Sequence, residues 1–74
     1  MSKLPVLSGK QLIKILSKIG FAYDRTKGSH AVLIRETPKK VCISVPLHSE
    51  LSKGVLLSII NKAGLSREEF EKLL

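Results

Sequence analysis

Two histidines, His30 and His48, stand out among the side chains that could carry chemistry, and His30 closes the tripeptide Gly28-Ser29-His30 with Arg25 and Lys27 just upstream. An imidazole has a reference pKa of about 6.5, so near neutrality it can accept a proton or donate one. Beside cations, that capacity suits metal-independent cleavage of RNA. A proton must leave a ribose 2′-hydroxyl, charge on the phosphorus-bound oxygens must be offset, and the departing 5′-oxygen must gain a proton. His30 is the candidate for proton transfer, while Arg25, Lys27 and the Ser29 hydroxyl are candidates for holding the phosphate. A histidine beside a glycine turn is equally an ordinary polar strand end. His48 reads equally well as a loop residue bonded to nearby backbone.

Other chemistries lack their residues. The acids are confined to Asp24, Glu36, Glu50 and the C-terminal segment, and Cys42 is the single cysteine. Neither zinc-ligand spacing nor a carboxylate cage can be assembled from these, so no metal and no cofactor is expected. No phosphate-cradling glycine motif and no serine-nucleophile signature occurs. One cysteine excludes an internal disulfide and fits a reducing cytosol.

Thirteen Lys and Arg against six Asp and Glu give a net charge of +7 on 74 residues. Such a surface attracts polyanions and speeds their encounter, which makes nucleic acid the leading ligand class; an evenly spread solubilising charge is the alternative. Phe21, Tyr23 and Phe70 are the only aromatic residues, too few for a broad platform on which bases would stack. Phosphate contacts must therefore do more of the binding.

The length suits one domain spanning residues 1–74, with a core small enough to gain from a bound partner. The N-terminus has no apolar run of leader type, and no stretch reaches the ~20 apolar residues of a membrane span, so the expectation is a cytoplasmic protein with no membrane contact.

Positioning these side chains requires elements that the pattern makes readable. Ser8 and Gln11 have capping-box spacing, and Leu12, Ile15, Leu16 and Ile19 recur helically, so a first helix is expected from Gly9 to Ile19, closed by Gly20. Phe21-Ala22-Tyr23-Asp24 reads as a strand, Arg25 to Ser29 as a turn, and His30 to Arg35 as a second strand. The loop Glu36-Thr37-Pro38-Lys39-Lys40 precedes an alternating third strand, Val41 to Val45, antiparallel to the second. Pro46 to Leu51 reads as a loop. Ser52 then caps a helix with Val55, Leu56, Ile59, Ile60 and Ala63 on one stripe, Gly64 ends it, and Ser66 with Glu69 opens a last short helix carrying Phe70, Leu73 and Leu74.

The order is α-β-β-β-α(-α), an α+β fold in which helices cover one face of a three-stranded antiparallel sheet, the layout of a double-stranded-RNA-binding domain. In a tight hairpin of strands two and three, His30 lies beside Val45, so the loop bearing His48 emerges near it. Lys39 and Lys40 join Arg25 and Lys27 as candidate phosphate contacts, because the two pairs flank the hairpin at its opposite ends. Strict alternation groups His30 with Val32 and Ile34, against Ala31, Leu33 and Arg35. If His30 faces solvent, Val32 and Ile34 form an exposed apolar strip; if they are core, His30 surfaces only at the strand's frayed end.

Taken together, these segments resemble the HicA family of mRNA interferase toxins. The resemblance is carried by Ser8-Gly9-Lys10-Gln11-Leu12-Ile13-Lys14-Ile15-Leu16 with Gly20-Phe21, by Gly28-Ser29-His30, by Val45-Pro46-Leu47-His48, and by the segment from Lys53-Gly54-Val55 to Gly64-Leu65-Ser66. Val55 departs from the Thr that the family often has after its glycine. The resemblance implies a type II toxin–antitoxin system, a HicB-type antitoxin that covers the active region, mRNA as substrate, and His30 as the residue required for cleavage. Gly28 and Ser29 become its frame, and His48 falls at the family's second histidine, a possible auxiliary. The rival from another class is a non-catalytic RNA-binding module that reads A-form shape.

Overall fold

Each helix begins at a serine whose hydroxyl takes up a backbone N–H that the helix itself leaves unpaired. Ser8, Ser52 and Ser66 accept from the amides of Gln11, Val55 and Glu69, and at Ser8 and Ser66 the side chains of Gln11 and Glu69 return the bond to complete capping boxes. In the computed structural model, which describes residues 5–74, the order is α1 (Gly9–Ser17), β1 (Ala22–Lys27), β2 (His30–Arg35), β3 (Val41–Pro46), α2 (Lys53–Lys62) and α3 (Arg67–Lys72). The first four residues, which open the stretch expected to carry no leader, lie outside the described residues. The strands form one antiparallel sheet in the order β1-β2-β3, an α+β fold whose layout agrees with that of a double-stranded-RNA-binding domain.

The bounds of three elements differ from the sequence reading, each for a local reason. Helix α1 stops at Ser17 rather than Ile19, and Gly20, at φ 95°, reverses the chain into β1. Strand β1 runs on through Arg25, Thr26 and Lys27, which were expected to be turn, because Gly28 and Ser29 alone make the reversal. Strand β3 includes Pro46, expected in the loop. A residue with no N–H to give is tolerated there because Pro46 ends a strand at the sheet's edge.

Side chains of directly opposed residues in an antiparallel pair lie on the same face. Leu33 opposes Ile43 and Ala31 opposes Val45, and Leu33, Ile43 and Val45 join Leu12, Leu16, Leu56, Ile60 and Phe70 in the core cluster. All three helices therefore cover that one face. His30, Val32 and Ile34 belong to the other, which answers the question the alternation left open. The expected exposed strip does not form, however: Val32, flanked by Arg25 and Ser44, is only 7% exposed and Ile34 is half-buried. Arg35, on the helix side, lies 4.7 Å over the Phe21 ring and donates to the Ala63 carbonyl at 3.4 Å, tying β2 to the end of α2.

Candidate functional site

On the face away from the helices, the ladder forms two cross-strand rows. In the first His30 stands between Lys27 and Pro46, and in the second Val32 stands between Arg25 and Ser44. This depends on an irregularity in β1. Tyr23 opposes Leu33, but the next paired residue is Arg25, opposite Val32, so Asp24 is an extra residue. In a regular strand Asp24 and Thr26 would face the same way as His30. The bulge replaces them with Arg25 and Lys27, so two cations stand beside the imidazole where an acid and a hydroxyl would otherwise be.

Arg25 is ion-paired with Asp24, but both groups are well exposed, so solvent screens the pair and leaves the guanidinium available to a stronger anion. Lys39 and Lys40 lie in the loop at the other end of the β2–β3 hairpin, about 17 Å away along the strand by the usual rise per residue. The structure thus groups Arg25 and Lys27 with His30 and leaves Lys39 and Lys40 at a distance.

Backbone contacts hold His30 in place. Gly28 has φ 60° and Ser29 does not share the positive sign, the pattern of a two-residue hairpin turn with glycine first. The Leu47 amide donates to the Ser29 carbonyl at 2.7 Å, joining that turn to the chain leaving β3. The Gly9 amide donates to the His48 carbonyl at 3.0 Å, and a methyl group on Gly9 would lie 2.1 Å from the Pro46 carbonyl oxygen. The start of α1, the β1–β2 turn and the exit of β3 are thereby locked together beneath His30. Gly28 and Ser29 form the turn that leads into His30, and His48 contributes a carbonyl to the same set of backbone contacts.

His30 is exposed and opens onto a cleft of about 400 Å3 between the β3 edge and α2. Ser44 and Pro46 form its sheet side; Val55, Ser58, Ile59 and Lys62, spaced i, i+3, i+4, i+7, form one stripe of the helix wall, with Gly54 at its start. No carboxylate lines it, and His48 is not part of it. Among the described residues, the imidazole of His30 has no hydrogen-bond partner, so either ring nitrogen is open to an incoming group. Ser44, Ser58 and Lys62 were not anticipated from the sequence, because α2 was read for its apolar stripe and the neighbouring stripe was passed over.

Among the described residues, no three His, Cys, Asp or Glu side chains gather closely enough to hold a metal ion, and no helix is long and apolar enough to cross a membrane. Cys42 is exposed, opposite Ile34 on the His30 face. The family model described as the HicA toxin of bacterial toxin-antitoxin systems matches residues 9–65, most of the chain and all of the elements around His30. No curated protein matches the chain.

Proposed function

Because the chain belongs to the HicA toxin family of bacterial toxin–antitoxin systems, we propose that it is a single-domain, metal-independent endoribonuclease that cleaves mRNA through His30 and is neutralised by a HicB-type antitoxin. The observation that carries the proposal is the row Lys27-His30-Pro46, in which a solvent-exposed imidazole stands beside a lysine at the mouth of a cleft without carboxylates. The imidazole takes the 2′-hydroxyl proton as the 2′-oxygen attacks phosphorus. The P–O5′ bond breaks, the 5′-oxygen is protonated from solvent, and the imidazolium returns its proton to solvent. Lys27, Arg25 and the Ser29 hydroxyl hold neighbouring phosphate oxygens, and Lys39 and Lys40 take a more distant part of the strand. His48 is left an auxiliary role, through the backbone lock.

The test is incubation of the purified protein with mRNA in excess chelator, beside His30→Ala. Cleavage by the wild type, lost in the variant while folding and RNA binding persist, is the expected result. Undiminished cleavage by His30→Ala overturns the assignment. Binding without turnover in both proteins makes this an RNA-binding module instead.

A further inference from the structure

Of the features that the proposed reaction leaves unused, the α2 wall of the cleft carries the most chemistry. Lys62 closes that wall, and among the described residues its ammonium has no hydrogen-bond or ion-pair partner. It shares the cleft with His30 and with the hydroxyls of Ser44 and Ser58, all groups able to donate to an anion. The apolar part of the lining is Pro46, Val55 and Ile59, a surface against which a base can pack without edge-specific contacts. The volume falls at the low end of small-ligand pockets, about 300–1,000 Å3, enough for one nucleotide and too little for a duplex.

We infer that this cleft receives one nucleotide of a single strand at the scissile phosphate, and that Lys62 offsets the charge that builds on the non-bridging oxygens. The inference rests on the ribonuclease reading and extends it. His30 then has cations on both sides: Lys27 on β1, beside the flanking phosphate, and Lys62 on α2, beside the reacting one. No proton passes through Lys62. The 2′-oxygen-to-phosphorus bond forms and the bond to the 5′-oxygen breaks while the ammonium lies against the other two oxygens. Preorganised charge of this kind acts in the transition state more than in the bound state. Because Pro46 and Val55 pack on the base without reading its edges, discrimination among the four bases at this position is weak.

A lysine in the last turn of a helix also complements the helix dipole, so the test must separate catalysis from stability. Amide shifts are mapped with an uncleavable 2′-O-methyl RNA oligonucleotide, and steady-state cleavage is compared among wild type, Lys62→Ala, Lys62→Arg and Gly54→Leu. A Cβ at Gly54 meets no atom within 4 Å and Gly54 lines the cleft, so Gly54→Leu adds bulk there with no clash at its Cβ. The expected results are shifts at Ser44, Gly54 and Ser58, and a kcat about a hundred-fold lower in Lys62→Ala with KM changed far less and the melting temperature lowered only slightly, so that the variant is folded under assay conditions. Lys62→Arg recovers part of the rate, and Gly54→Leu loses both shifts and cleavage. Shifts absent from the cleft, or Lys62→Ala turning over like the wild type while His30→Ala is dead, overturn this inference and leave the ribonuclease reading intact. Cleft shifts with no cleavage by the wild type overturn the ribonuclease reading and with it the role given to Lys62, leaving a cleft that only binds a nucleotide.

Discussion

Lys27 stands directly opposite His30 at the closed end of the β1–β2 hairpin, and it does so because Asp24 is bulged out of the ladder two pairs earlier. The register of one strand thus sets the electrostatic surroundings of the candidate base. The same shift places Arg25 beside Val32, so both cations face the side of the sheet that the helices leave open.

That arrangement separates two kinds of arginine. Each phosphate contact on a single strand contributes about 0.7 to the slope of log affinity against log salt. Lys27→Ala and Arg25→Ala should each reduce the slope by roughly that amount, read by anisotropy titrations of a labelled RNA at several salt concentrations. Arg35→Ala should leave the slope alone and lower the melting temperature, since its guanidinium is engaged with Phe21 and the Ala63 carbonyl. A loss of slope in Arg35→Ala equal to that in Lys27→Ala would contradict the assignment of faces.

Gly9 and Gly54 both lie in the first turn of a helix, yet they should respond differently to alanine. At Gly9 the added methyl meets the Pro46 carbonyl oxygen at 2.1 Å, backbone against backbone, whereas at Gly54 it meets nothing. Urea unfolding should show Gly9→Ala destabilised by about 1–3 kcal/mol, in the range of overpacked sites, with cleavage impaired because the same contact lies beneath His30. Gly54→Ala should show no loss of stability.

Gly28 is the other glycine on which the site depends. Its φ of 60° is one that a residue with a Cβ adopts only with strain, so Gly28→Ala should lose about 1–2 kcal/mol of stability. The turn it forms sets the Lys27–His30 pair, so cleavage at saturating RNA should fall even at a temperature where the variant remains folded. Full activity in a folded Gly28→Ala would show that the turn does not set the pair.

Acid sensitivity should trace in part to the last helix. Hydrogen bonds from the Ser66 backbone and hydroxyl hold the Glu69 carboxyl below the ordinary glutamate range. A carboxyl whose folded pKa is depressed binds protons more readily in the unfolded chain, so its contribution is present above the ordinary glutamate pKa and is lost as pH falls through the lowered value. Glu69→Gln keeps a side-chain acceptor for the Ser66 amide but removes the titration. Thermal melts should therefore show a smaller loss of stability from neutral to acid pH in the variant than in the wild type.

Much of this was readable in the chain, and the parts that were not share a cause. The capping pairs Ser8–Gln11 and Ser66–Glu69 act within one helical turn, the run His30–Arg35 is apolar and β-branched, and Val41–Val45 alternates, so local pattern located them. The bulge at Asp24 is a property of two strands in register, and no local signal in Tyr23-Asp24-Arg25 announces it. Reading Arg25 to Lys27 as turn was the natural error, since charged residues next to glycine resemble a loop until the ladder claims them. The cleft was missed for a similar reason. Ser44 and Lys62 are 18 positions apart in sequence and become neighbours only when α2 lies along the edge of β3.

The lock beneath His30 is built almost entirely from peptide groups: Leu47 to Ser29, and Gly9 to His48. Most side chains around it can therefore change without moving the imidazole. In a genetic selection for survivors of toxin expression, single substitutions that inactivate an otherwise folded protein should fall at few codons, chiefly those of Gly9, Gly28, His30 and Lys62, with bulky replacements at Gly54. The mutational target for escape is thus small, which gives a host more reason to keep an inhibitor than to wait for the gene to decay.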